Sequence, residues 1–159
     1  MFSEVGWTLT ALGLALFVAL ALLRDERKAA HERALATELR DVLAFSAELW
    51  DALGPHHYRE LVPAYLGRRE IFVRANYVID FWDRAARAYL RGDVNRRRFI
   101  ARVAAKCDMC WREYLDLIKL MDEQEPQRVA AWRRLRTAAV RHLHGAVKEK
   151  DKVKTSRAA

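Results

Sequence analysis

The chain has 159 residues, 52% of them hydrophobic and 31% charged, with a formal net charge of +8. Only three prolines and six glycines punctuate it. Ala, Leu and Arg dominate and no apolar/polar alternation is sustained, so β-sheet architectures are excluded in favour of an all-α fold. A basic chain invites nucleic acid as a partner, but helix-turn-helix, glycine-rich RNA-binding strand and zinc-finger spacings are all missing, and the arginines spread around helices instead of gathering on one.

The first predicted element is Val5 to Leu23, VGWTLTALGLALFVALALL, a 19-residue run without an ionisable side chain. As a helix it is roughly 28 Å long, which matches a bilayer's hydrocarbon core. The leader Met1-Phe2-Ser3-Glu4 lacks a positive charge, and the run is too long for a cleaved signal. A retained transmembrane anchor is therefore expected, marked by Val5, Trp7, Gly13 and Leu23, with Trp7 as an interfacial aromatic. Gly6, Ala11, Gly13, Ala15 and Ala19 permit close approach of other membrane helices. The flank carries Arg24, Arg27, Lys28 and Arg33, which predicts a single-pass inner (cytoplasmic) membrane protein with its N-terminus outside and its C-terminal domain in the cytoplasm. All 29 Lys+Arg follow the anchor and one of the 21 acids, Glu4, precedes it, so the remainder carries +9. Such a domain is drawn to anionic membrane lipid, and its two cysteines would meet a reducing compartment that disfavours a disulfide.

Beyond the anchor, neither Gly nor Pro occurs from Arg24 to Leu53. Leu35, Leu39, Val42, Leu49 and Leu53, with Ser46 in the gap, make one apolar seam at helical spacing. The pattern divides the chain into an anchor and flank (1–28), an amphipathic continuation (29–53), a helical bundle (54–145) and a disordered basic tail (146–159). Gly54-Pro55 stops the first helix, and Pro63 suits the first position of the next, read as Ala64 to Arg91. Gly92 closes that helix and Asp93 caps a third, from about Val94 to Met121. Pro126 opens a fourth that packs through Val129, Trp132, Leu135, Ala139 and Leu143 and stops at Gly145. Short links demand antiparallel neighbours, so the anchor is expected to continue into a small antiparallel bundle.

Few residues suggest chemistry. Cys107 and Cys110 share the spacing of a redox or half-metal site, with His56 and His57 as distant candidate ligands. The two thiols fall well inside the third helix, away from the N-terminus that would lower their pKa, and core packing is the favoured reading. His56-His57 lies in a turn and reads as a polar hinge, although adjacent histidines could titrate or bind metal. The basic clusters Arg68-Arg69, Arg96-Arg97-Arg98 and Arg133-Arg134-x-Arg136 read first as solvated helix faces, and as candidate contacts for lipid headgroups or an acidic partner in the functional alternative. Trp82, Tyr89, Trp111, Tyr114 and Trp132 fall on apolar stripes, as core residues do. No Ser-His-Asp arrangement, P-loop or glycine-rich nucleotide motif is present.

Arg74-Ala-Asn-Tyr77, followed fifteen positions on by Gly92 and then by an amphipathic helix with Trp111, resembles a family of uncharacterised bacterial proteins with one N-terminal span and a short helical cytoplasmic domain. The resemblance covers roughly residues 5–135, and it implies architecture without activity or cofactor. The expectation is a non-enzymatic accessory or scaffold protein, without a cofactor, whose partners are lipid, other membrane subunits or a second copy. A metal- or redox-responsive sensor using Cys107 and Cys110 is the alternative.

Overall fold

The computed structural model describes the backbone of residues 2–55 and 57–157, and the side chains of residues 12–55, 57 and 59–147. Six helices follow in order: α1 Phe2–Leu53, α2 His57–Gly67, α3 Arg69–Arg91, α4 Arg96–Glu113, α5 Leu115–Gln124 and α6 Pro126–Arg157. Among the described residues there is no strand, as the helix-forming composition requires.

α1 is continuous for 52 residues. Its second half buries Glu32, Leu35, Leu39, Val42, Ser46 and Leu49, spaced alternately by three and four, so one stripe faces the bundle. Its first half buries nothing: every described residue from Leu12 to Arg27 is exposed.

No helix is long and apolar enough to cross a membrane, among the described residues. The described apolar residues of α1 give way at Arg24-Asp25-Glu26-Arg27-Lys28 to a charged segment of the same helix. This overturns the expected single-pass placement in the inner membrane with a cytoplasmic C-terminal domain. The side chains of Val5 and Trp7 lie outside the described residues, whereas Gly13 and Leu23 belong to the exposed stretch.

Several boundaries move for physical reasons. Pro63 falls inside α2 rather than opening a helix, so the bond it cannot donate is lost there. The break comes instead at Arg68, whose extended φ −121°, ψ 110° separates α2 from α3. Asn95, and not Asp93, caps α4, its side chain accepting from the Arg98 amide at 3.1 Å. Gly92, at φ +79°, ends α3 with the Asp93 amide bonded to the Ala88 carbonyl and its own to Tyr89, the pairing of a Schellman turn. One residue, Tyr114, divides the expected third helix into α4 and α5. Its side chain is fully buried, bonded to Ser46 at 3.2 Å and packed on Trp50 at 5.0 Å, so a tertiary demand sets the kink. At the other end, α6 passes through Gly145 to Arg157 where a disordered tail was expected; Ala, Lys and Glu in that segment are good helix formers.

The helix order differs from a simple ring. Arg84 pairs with Glu38 and Arg74 with Glu48, so α3 runs antiparallel to α1. Arg128 meets Asp80 and Trp132 stacks on Trp82, so α3 and α6 run parallel. α4 packs chiefly on α6, and α1 on α3. The centre is thus the α3–α6 seam, where Trp82 and Trp132 stack at 5.9 Å and Trp111 meets Trp132 edge-on at 5.2 Å. α1 and α4 lie on the flanks with little contact between them.

Candidate functional site

The largest unsatisfied surface is the first half of α1. Leu12, Leu14, Leu16, Phe17, Val18, Leu20, Leu22 and Leu23 are between 47% and 70% exposed. Consecutive helical positions point in directions about 100° apart, so these side chains cover the whole circumference rather than one stripe. Contiguous exposed apolar patches of this kind are rare on the surfaces of folded chains. Gly13 leaves open space where a side chain would stand, and Ala15 and Ala19 lie on one face.

A basic collar flanks one side of the base of this stretch. Arg24, Arg27, Lys28 and His31 of α1 form an open depression with Arg91, Gly92 and Asp93 at the end of α3. Asp93 is taken by Arg91 at 3.0 Å. Among the described residues, Arg24, Arg27 and Lys28 pair with no carboxylate, so their charge faces outward. The arrangement follows from sequence locally: the apolar run ends in a charged segment on the same helix, and Gly92 turns the α3 terminus back beside it.

The basic clusters divide by role. Arg96 turns inward on its own fold, donating from Nε to the Tyr89 carbonyl at 3.0 Å and from Nη2 to the Leu90 carbonyl, with its guanidinium 5.8 Å from the Tyr89 ring centroid. A cation at the C-terminus of α3 also complements the helix dipole. Arg133 pairs with Asp122 at 2.7 Å. Arg136 bonds the buried Asp108 at 3.1 Å and stacks over Trp111 at 5.4 Å, while Arg112 reaches the other Asp108 oxygen at 2.6 Å. These three candidates therefore hold helices together. Arg68, Arg69, Arg97, Arg98 and Arg134 are exposed, and among the described residues none pairs with a carboxylate.

Both cysteine side chains are fully buried, as a stripe residue on α4 should be. Burial pushes each thiol up from 9.0 to about 12. The indole N–H of Trp132 draws Cys107 slightly back down, and Glu113 adds to the rise at Cys110 while Trp82 opposes it. Both indole N–H groups are buried without a hydrogen-bond partner among the described residues. Thiols held protonated behind tryptophans are poor nucleophiles and poor metal ligands at neutral pH. No group of three His, Cys, Asp or Glu is placed to hold a metal, among the described residues. His57 packs against Trp50 at 4.9 Å with Nδ1 3.2 Å from the Gly54 carbonyl, and His56 lies outside the described residues.

Glu32 escaped the sequence reading. It is buried and accepts the Asn95 amide at 2.6 Å, fastening α1 to the start of α4 across 63 positions of sequence. The only local signal was an acid on the apolar seam, one turn before Leu35. Nothing local indicates which helix start it reaches.

Compared with known proteins, the chain matches no protein family, no curated relative and no solved structure.

Proposed function

We propose that the chain is a non-enzymatic docking protein whose apolar α1 section is buried among the apolar helices of a different, acidic protein. The observation that carries this reading is the full-circumference exposure of Leu12 to Leu23 next to an outward-facing basic collar. Burying one large apolar side chain contributes about 1.5–3 kcal/mol, so the large apolar side chains between Leu12 and Leu23 together outweigh a sizeable cost of association. A single groove covers one face of a helix; an element apolar on all sides is better matched by several surrounding helices. Charge selects the kind of partner. A second copy would bring two +8 chains and two collars together, whereas acidic residues at the rim of a helical partner would neutralise Arg24, Arg27 and Lys28.

Crosslinking followed by affinity purification tests this, using the wild-type chain and two variants with substitutions at exposed positions, L16E/L20E and R24E/R27E/K28E. Thermal unfolding serves as a check that both variants remain folded. The expected result is a stoichiometric partner, crosslinked through Lys28 to an acidic helical segment and lost in both variants. Recovery of a self-associated chain, or of a chain bound only to lipid vesicles, overturns the reading. So does a partner retained by both variants.

A further inference from the structure

The flanking positions of α1 and α4 leave a groove between them, floored by Phe81 of α3. Its volume is about 260 Å³, just below the range of small-molecule sites, which run from roughly 300 Å³ upward. The walls below the rim are apolar: Leu35 and Leu39 come from α1, and Phe99 and Val103 from α4, all buried. Above them stand three cations, Arg40 from α1 and Arg102 and Lys106 from α4. None pairs with a carboxylate among the described residues.

One acid lies in the groove, Glu32, and it is already committed. Its carboxylate accepts the Asn95 amide at 2.6 Å, at the positive end of α4, which absorbs part of its charge. The three cations therefore repel one another across a gap that no side chain fills. An apolar slot beneath a positive rim is the complement of a molecule with a short alkyl chain and an anionic head.

We propose that this groove binds a single-chain anionic amphiphile, a medium-length alkyl chain ending in a carboxylate or phosphate. The chain lies along Phe81, Leu39 and Val103 while the head is held by Arg40, Arg102 and Lys106. The site is separate from the apolar section of α1, and the proposal does not depend on that section's partner.

Calorimetric titration of the full chain with decanoate, decyl phosphate, decyltrimethylammonium and inorganic phosphate, each below its micelle concentration, tests it. Binding of decanoate, decyl phosphate or both is expected, and the preferred one identifies the head. Two variants locate the site. R102Q/K106Q should weaken binding about 10-fold or more, the loss of roughly 1.4 kcal/mol or more from charge-assisted contacts. A36W, which fills the groove from an exposed lining position, should abolish it. Equal binding of decyltrimethylammonium overturns the proposal. Undiminished binding by both variants does so too, assigning the amphiphile to the exposed leucines of α1. Inorganic phosphate binding as tightly as decyl phosphate reduces the site to an adventitious ion only, and absence of heat with every anionic probe removes it.

Discussion

The two halves of α1 belong to one unbroken helix and meet opposite fates. From Leu12 to Leu23 every residue is apolar and every residue is exposed; from Glu32 to Leu49 one position in three or four is buried, and the rest are mostly polar or small, apart from Leu43 and Phe45. Composition alone would bury the first half and expose the second. What decides is whether another surface of this chain can reach the side chains. A stripe can be covered from one side, and here α3 covers it with help from Tyr114 and the start of α4. A full apolar circumference needs neighbours on all sides, and the bundle supplies none there.

The widest test sets equivalent truncations in the two halves against each other. Leu49→Ala removes a fully buried side chain and should lower stability by about 2–5 kcal/mol in urea unfolding. Leu20→Ala should change it by no more than about 0.5 kcal/mol, since Leu20 is 58% exposed. Equal losses would break the comparison, because the first half would then contribute to the fold.

Next in size is Glu32, where α1 first meets the bundle. Glu32→Ala leaves the Asn95 amide without its charged acceptor and should cost about 1.5–3 kcal/mol. Unfolding that starts at α4 in hydrogen exchange would sharpen the assignment of this contact as the point where α1 changes role.

The buried thiols give a pH signature of the packed region that the exposed half cannot share. Their folded pKa is raised from 9.0 to about 12 by burial. Their contribution is therefore complete below pH 9 and is lost as pH rises through the folded value. Stability should fall by about 1.4 kcal/mol per pH unit per thiol above pH 9. Cys107→Ala/Cys110→Ala should flatten that slope, and thiol labelling of the wild type at pH 8 should be slow. Fast labelling would contradict the packing.

The smallest effect is at Glu113, whose carboxyl is raised by burial, with the Trp50 indole and His57 partly opposing the rise. A raised carboxyl favours the folded state only when protonated, so its ionised form is a liability at neutral pH. Glu113→Gln should give a slight gain in thermal midpoint at pH 7 that vanishes as the pH falls below the ordinary glutamate range. A loss at pH 7 would show that Glu113 is held by partners stronger than Trp50 and His57.

Much of the helical framework is legible in the sequence. The seam through Leu35, Leu39, Val42 and Leu49, and the stop at Gly92, are local patterns of burial and backbone freedom, and the structure contains both. The kinks at Arg68 and Tyr114 are not legible, because each depends on which distant side chains the helix must reach. Membrane crossing was read from the length of an apolar run. Among the described residues no helix is long and apolar enough for it, and what remains is an exposed apolar surface. Arg96, Arg133 and Arg136 looked like a solvated basic face until their acceptors, the Tyr89 and Leu90 carbonyls and Asp122 and Asp108, came from other turns and other helices.

By itself the sequence determined that this protein is helical, with amphipathic stripes in its middle and an apolar helix at one end. Propensity and periodicity act within a few turns and need no knowledge of the rest of the chain. Only the tertiary structure decided that α3 and α6 run side by side in parallel, joined by the Trp82–Trp132 stack. That choice places α1 and α4 on the flanks and opens the groove beneath Arg40, Arg102 and Lys106. The stripes alone do not specify which helix faces which. The one adopted depends on how large rings, buried carboxylates and helix ends fit together across distances that local sequence does not encode.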